Sequence, residues 1–267
     1  MPNLLIKPNK NHTILHNITP ENANWQYVGF SVVQLAAQQT HQFHSEHNKE
    51  YCLTLLYGRA DIQVNEQHYT HLGQRQSVFD NQSPYAVYIP PNSQIHISAH
   101  TDLEIALSSA PAQGHYPPRL ILPEHMRRST RGQGSNTRYI CDILPEDAPA
   151  ESLLVVEVIT PAGNSSSYPP HKHDQQNANE TLLEETYYHC INPPQGFAFQ
   201  RVYTQDRTLD ETMSVENRDV VLVPKGYHPC AAVHGYDLYY LNTMAGPERR
   251  WQFSNDPEHE WLIAPPK

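Results

Sequence analysis

The sequence predicts an all-β protein built as two antiparallel barrels in one chain, and three observations carry that expectation. Prolines outnumber glycines, 23 to 11, and Pro or Asx/Ser clusters interrupt most stretches before three helical turns can accumulate. Short runs rich in β-branched and aromatic residues recur at fairly even spacing, the pattern of a sandwich or barrel. The runs also fall into two series of the same rhythm, which a duplicated barrel explains better than one continuous sheet.

In chain order, the first series covers residues 27–35, 51–56, 60–64, 86–89, 94–99 and 103–108. The second covers 153–160, 185–191, 198–203, 219–223 and 237–242. Leu55-Leu56-Tyr57-Gly58-Arg59-Ala60 reads as strand, tight turn, strand. Val87-Tyr88-Ile89-Pro90-Pro91 and Val221-Leu222-Val223-Pro224-Lys225-Gly226 each read as a strand stopped by proline. Residues 117–149, with Arg119, Arg127, Arg128, Arg131 and Arg138, read as the crossover between halves, solvated or a subunit contact, with one arginine able to reach the neighbouring barrel. The expected domains are therefore 1–145 and 146–267.

Composition bounds the function. Across 267 residues, 28 Asp+Glu against 18 Lys+Arg give a formal charge of -10, which argues against a nucleic-acid partner needing a basic face. With 38% hydrophobic and 17% charged residues, the chain fits a globule better than a disordered polymer or a membrane protein. The opening Met1-Pro2-Asn3-Leu4-Leu5-Ile6-Lys7-Pro8 lacks the apolar run of a secretory signal, and no later run approaches the ~20 apolar residues of a span. The expected location is the cytoplasm. Cys52, Cys141, Cys190 and Cys230 form no CxxC pair and read as reduced, buried thiols.

The sharpest chemical signal is Gly163-Asn164-Ser165-Ser166-Ser167-Tyr168-Pro169-Pro170-His171-Lys172-His173-Asp174, followed by Leu183-Glu184-Glu185-Thr186-Tyr187-Tyr188. On a strand, residues two apart share a face, so His171 and His173 point inward together while Lys172 points away. Glu185 stands at the start of the next strand, ready to add a carboxylate oxygen. His228, in the turn Pro224-Lys225-Gly226-Tyr227-His228-Pro229, is placed to add a third imidazole. Three imidazoles and a carboxylate suit one divalent first-row ion per chain. Zinc heads the expectation, and manganese, iron and nickel suit the same ligands.

That order, a glycine, HxH, a glutamate opening a second strand and a Pro/Gly turn with histidine, resembles the cupin superfamily. The resemblance tightens over Ser152-Leu153-Leu154-Val155-Val156-Glu157-Val158, the HxH segment, Leu183-Glu184-Glu185-Thr186-Tyr187-Tyr188-His189 and residues 192–203, 220–229 and 236–242. It extends into the first half through residues 27–30, 77–80, 84–90 and 136–140. Over most of its length the chain looks like the 5-deoxy-glucuronate isomerases of myo-inositol catabolism, a family of two-barrel cupins. It departs from their pattern at Ser165, where Trp is usual, and at Cys190, where Arg is usual; neither is a proposed ligand. The resemblance implies a bicupin with the metal in the C-terminal barrel and a tendency to homo-oligomers.

It also implies a metal-assisted aldose-ketose isomerisation of a sugar acid, with no organic cofactor. The chemistry needs the carbonyl oxygen and its neighbouring hydroxyl held together, and a proton or hydride moved between adjacent carbons. Candidate bases are Glu184, Tyr187 and His189, and strand parity favours Tyr187 and His189, which share a face with Glu185. The substrate carboxylate needs a cation, for which Arg201 and Lys225 stand nearest along the sequence. A uronate ketol-isomerase of pectin breakdown and a cupin dioxygenase are the alternatives. In the first half, His44, His47 and Glu50 sit three apart, which alternates faces on a strand. Pro90-Pro91-Asn92-Ser93 replaces the turn that would carry a histidine, so that half reads as structural.

Overall fold

The computed structural model describes residues 3–263. Two compact units divide the chain: residues 8–127 with 141–156 form the N-terminal unit, and residues 3–7, 128–140 and 157–263 the C-terminal unit. A single cut near residue 145 does not describe this division. The segment expected as a crossover also carries three strands, Arg119–Ile121, Arg127–Arg131 and Arg138–Leu144.

In the N-terminal unit the larger sheet runs Arg119–Ile121, Ala86–Ile89, Lys49–Tyr57, Leu103–Pro111, Gly29–Leu35, Ile14–Ile18, and the smaller runs Thr40–His44, Gln94–Ala99, Ala60–Val64, Gln67–Leu72. The pairings are antiparallel. Inward residues of both sheets, among them Val33, Leu53, Leu55, Ile62, Ile97 and Ile105, meet in one apolar cluster. Burying such side chains contributes about 1.5–3 kcal/mol each relative to leaving them in water.

The C-terminal unit repeats this order. Val220–Val223, Glu184–Asn192, Asp237–Ala245 and the 157–160 part of Leu154–Thr160 occupy the places of Ala86–Ile89, Lys49–Tyr57, Leu103–Pro111 and Gly29–Leu35. Ser165–Ser166, Cys230–Ala232, Phe197–Tyr203 and Asp210–Glu216 form the smaller sheet. The edge slot that Arg119–Ile121 fills in one unit is filled in the other by Leu5–Ile6, with Leu5 opposite Val221 and Ile6 opposite Val220. Lys7 secures that strand through Asp219 at 2.7 Å and Glu216 at 3.0 Å.

Strands with buried faces lie close to their expected positions; Ala60–Val64, Ala86–Ile89 and Gln94–Ala99 coincide with them. Strands not anticipated include Thr40–His44, Gln67–Leu72 and Asp210–Glu216, all at edges of the smaller sheets. Their sequences are polar because an edge strand with one wet face needs few apolar residues. All four cysteines are free and buried. Among the described residues, no helix is long and apolar enough to cross a membrane.

The first half shows why its His/Glu set is not a second metal centre. The Glu50 carboxylate is fully buried and accepts from the backbone N–H groups of Glu151, Ser152 and Leu153 at 2.6–2.8 Å and from the Tyr88 hydroxyl at 2.7 Å. His44 and His47 are exposed. By register, Tyr51, opposite Ile89, holds the place that Glu185, opposite Val223, holds in the other unit. Glu50→Ala would leave three N–H groups and a hydroxyl buried without their acceptor. We expect a loss of about 3 kcal/mol or more in urea unfolding; a change under about 0.5 kcal/mol would contradict this role.

Candidate metal centre

Strand geometry brings together the four residues expected as ligands. His171–Lys172 pairs with Ser254–Asn255, and the loop after it returns to Glu184–Asn192 through the Leu183 N–H, which donates to the His173 carbonyl at 2.8 Å. Lys172 turns away from the histidines, as alternation requires, but it is buried. Its ammonium sits 2.7 Å from Asp174 and 2.8 Å from Glu180. Glu180 also accepts from the N–H groups of Asp174 and Gln175, and Asp174 accepts from the Gly226 N–H at 2.8 Å. This network ties the HxH loop to the turn that carries His228.

Gly226 is needed in that turn. Its φ is +92°, and a Cβ there would come within 2.5 Å of the Tyr203 carbonyl oxygen. The tight turn lets Tyr203 and Tyr227 exchange backbone hydrogen bonds, which points the next residue, His228, inward.

Candidate ligand atoms of His171, His173 and His228 all lie within 4.8 Å of one another. His173, His228 and Glu185 are buried and His171 is partly buried. Each imidazole gives one ring nitrogen to a backbone carbonyl: His171 to Pro169, His173 Nδ1 to Leu183 at 3.0 Å, and His228 Nδ1 to Gly226 at 2.8 Å. A carbonyl only accepts, so the nitrogen facing it carries the proton and the other presents a lone pair. His173 Nε2 and His228 Nε2 lie 3.1 and 3.2 Å from the same oxygen of Glu185, and His228 Nε2 has no hydrogen-bond partner.

Lone pairs facing a carboxylate in a buried space repel unless a proton or a metal cation lies between them. Burial holds His171 and His228 at about 3, so both are neutral near pH 7. Burial alone would also lower His173, but its hydrogen bond to Glu185 and that residue's charge outweigh this and raise it. Carbonyl-anchored imidazoles, with His171 and His228 held neutral, and one carboxylate are the donor set of a zinc-type site, so these residues fit a divalent ion.

Behind the ligands, Tyr187 and His189 share the inward face of Glu184–Asn192 with Glu185, while Glu184 faces the other way. The Tyr187 hydroxyl is 2.9 Å from Ser167 Oγ, and its ring centroid lies 5.8 Å from those of His228 and His189. The Gln200 side-chain oxygen is 2.8 Å from His189 Nε2, which leaves His189 Nδ1 buried without a partner. Burial holds His189 down at about 4 and pushes Tyr187 well above its usual value. The imidazole is therefore neutral, and the phenol keeps its proton.

Two expected substrate contacts are not brought to this centre. Alternation on Phe197–Tyr203 sends Gln200 inward and Arg201 outward, where its guanidinium binds both oxygens of Asp210 at 2.7 Å. Lys225 is exposed and lines an open groove with Lys172, Asp174 and Asp206. Sequence reasoning passed over Gln200, whose parity with buried Ala198 and Val202 could have flagged it. It also passed over Phe253, whose ring lies 4.6 Å from that of His171. The other convergence of ligand atoms among the described residues, Asp61, His71 and His100, lies on the surface of the N-terminal unit.

An all-β protein of cupin-like fold with three histidines and a glutamate converging in one unit is the class these features define. The profile of the KduI/IolB family matches residues 4–262, and the chain belongs to that family. It is 54% identical to a 5-deoxy-glucuronate isomerase of Geobacillus thermodenitrificans, over 96% of this chain and 93% of that protein. Identity to one of Halalkalibacterium halodurans is 48%, covering 98% and 100%. The crystal structure of an IolB-like protein from Salmonella typhimurium LT2 superposes with a TM-score of 0.96 at 49% identity, covering 98% of this chain and 100% of that one. Oxalate decarboxylase from Lactobacillus farciminis, at 12% identity, shares the fold with a TM-score of 0.68 over 100% of this chain and 91% of that one.

Two sets of variants test the centre. His173→Ala and His228→Ala should each reduce bound metal from about one ion per chain to near none by elemental analysis, with the far-ultraviolet circular dichroism of the wild type. Gly226→Ala strains the left-handed turn by roughly 1–3 kcal/mol and should weaken zinc binding measured by chelator competition. Undiminished metal content in the histidine variants would place the ion elsewhere.

Proposed function

We propose that the chain is an aldose-ketose isomerase that converts 5-deoxy-D-glucuronate into 5-dehydro-2-deoxy-D-gluconate in myo-inositol catabolism, with one divalent metal held by His171, His173, Glu185 and His228. The observation that carries the reading is identity of 54% and 48%, over nearly the whole chain, to proteins bearing that isomerase name. We infer further that each unit closes as a cupin barrel, giving a bicupin. The repeated strand order of the two units supports this. The proposed setting is the cytoplasm and the proposed assembly a homo-oligomer, in keeping with the soluble sugar-acid substrate.

When bound, the divalent ion supplies Lewis acidity for the carbonyl oxygen and the adjacent hydroxyl. The chain's own residues do the rest. The carbonyl-anchored imidazoles fix the direction of the donor atoms, so little reorganisation accompanies turnover. His189, with its Nε2 proton committed to Gln200, keeps a bare Nδ1 lone pair suited to take the proton that leaves the substrate carbon. Tyr187 stays protonated and is positioned by Ser167 to donate to a substrate oxygen. Tyr240, hydrogen-bonded to Ser166 at 2.6 Å and with its ring centroid 4.9 Å from that of Tyr187, holds this layer in place.

Proton NMR with 5-deoxy-glucuronate should show the aldehyde or hemiacetal signals decay with the native enzyme. Decay should cease after exhaustive chelation and return on adding zinc or manganese. Full turnover by protein shown to be free of metal would contradict the proposal. His189→Gln should lower kcat about 100-fold at unchanged metal content, within the range lost with a positioned base. A kcat equal to that of the wild type would remove His189 from the proton transfer.

A further inference from the structure

With Arg201 neutralised by Asp210 and Lys225 on another groove, the centre still needs a cation for the substrate carboxylate. The structure offers one in the segment that read as a solvated crossover. We propose that Arg138, assisted by Arg131, binds the carboxylate of the uronate beside His171 and so determines selectivity for acidic sugars. The inference rests on the isomerase reading above and adds the residues that recognise the acid group.

Arg138 is half-buried, and no carboxylate lies within ion-pair distance of it among the described residues. Among the described residues its hydrogen-bond partner is the Asn136 carbonyl, 2.9 Å from Nη1. In a chain with a formal charge of -10, a half-buried guanidinium without an acid is a feature that needs a reason. Arg131 is exposed and has no acid partner among the described residues; its guanidinium carbon lies 5.2 Å from the Trp251 ring centroid.

Position supports the assignment from two sides. The turn before Arg138 is fastened to the approach to His171: Asn136 Nδ2 donates to the Tyr168 carbonyl at 3.1 Å, and Asn164 Nδ2 donates to the Thr137 carbonyl at 2.9 Å. On the other side, Arg131 lies over Trp251, whose ring centroid is 5.7 Å from that of Phe253, and Phe253 in turn packs on His171. Gly132, at φ +76°, permits the arrangement, because a Cβ there would overlap the Asn136 carbonyl and come within 2.8 Å of Arg138 Nη1. Asn136 Oδ1 is buried in the same turn without a partner, an acceptor for a sugar hydroxyl.

A guanidinium takes a carboxylate with two parallel hydrogen bonds. The burial that lowers the Arg138 pKa also strengthens its pairing with an anion. A uronate anchored there by its acid group would have its far end held at a fixed distance from the ligand cluster, which is the positioning that isomerisation requires.

The test compares 5-deoxy-glucuronate with its neutral 5-deoxy-glucuronamide in the metal-loaded wild type and in Arg138→Gln, Arg138→Lys and Arg131→Gln. Arg138→Gln should lower kcat/KM for the acid about 100-fold, mainly through KM, and leave that for the amide within about twofold. Arg138→Lys should recover part of the loss, and Arg131→Gln should show a smaller effect of the same sign. Wild-type discrimination between acid and amide that persists in Arg138→Gln, with metal content intact, overturns the proposal. Failure of the wild type to turn over the acid at all would instead overturn the isomerase reading.

Discussion

Two imidazole nitrogens directed at one carboxylate oxygen inside a buried space form the constraint on which the centre depends. In water such an arrangement would relax, since each acceptor would find a donor. Here it cannot, because the carbonyls of Leu183 and Gly226 hold the ring protons of His173 and His228 on the far sides. A divalent cation held there, as proposed above, would satisfy all of these acceptors at once.

Much of the surrounding architecture maintains that geometry. Lys172, Asp174 and Glu180 form an ionic cluster whose Asp174 reaches the Gly226 N–H, so the loop bearing His171 and His173 and the turn bearing His228 are coupled. Breaking one member would leave an uncompensated charge, which is far more costly than losing a surface pair. On the other flank, the Ser166–Tyr240 and Ser167–Tyr187 hydrogen bonds hold an aromatic layer behind the ligands. The N-terminal unit repeats the strand order without the chemistry. Tyr51 stands in the register of Glu185, and neighbouring Glu50 is consumed by three backbone N–H groups and Tyr88.

Legibility in the sequence followed burial. Alternation placed His171 and His173 together and set Tyr187 and His189 on the face of Glu185, because those residues obey the period of a strand with one dry face, while the Pro/Gly turn marked His228. Arg201 stood out as a cation near the centre along the sequence, yet its parity, opposite to that of Gln200, sends it outward, and only the paired strand shows Asp210 waiting there. The arginine run read as a solvated crossover or subunit contact, which fits exposed Arg131 and not half-buried Arg138. What positions them, the hydrogen bonds that join Asn136 to Tyr168 and Thr137 to Asn164 and the Trp251 and Phe253 rings, involves partners tens of positions away. The polar edge strands were hidden for the same reason, since pairing with a neighbour rather than apolar content creates them.

Anomalous diffraction from crystals of the purified protein, collected on both sides of the absorption edge of its resident metal, bears most directly on this account. It predicts one peak per chain, with nitrogens of His171, His173 and His228 and an oxygen of Glu185 about 2.0–2.2 Å away. A map with no peak at that position, and a proton-bridged His173–Glu185 pair in its place, would contradict it.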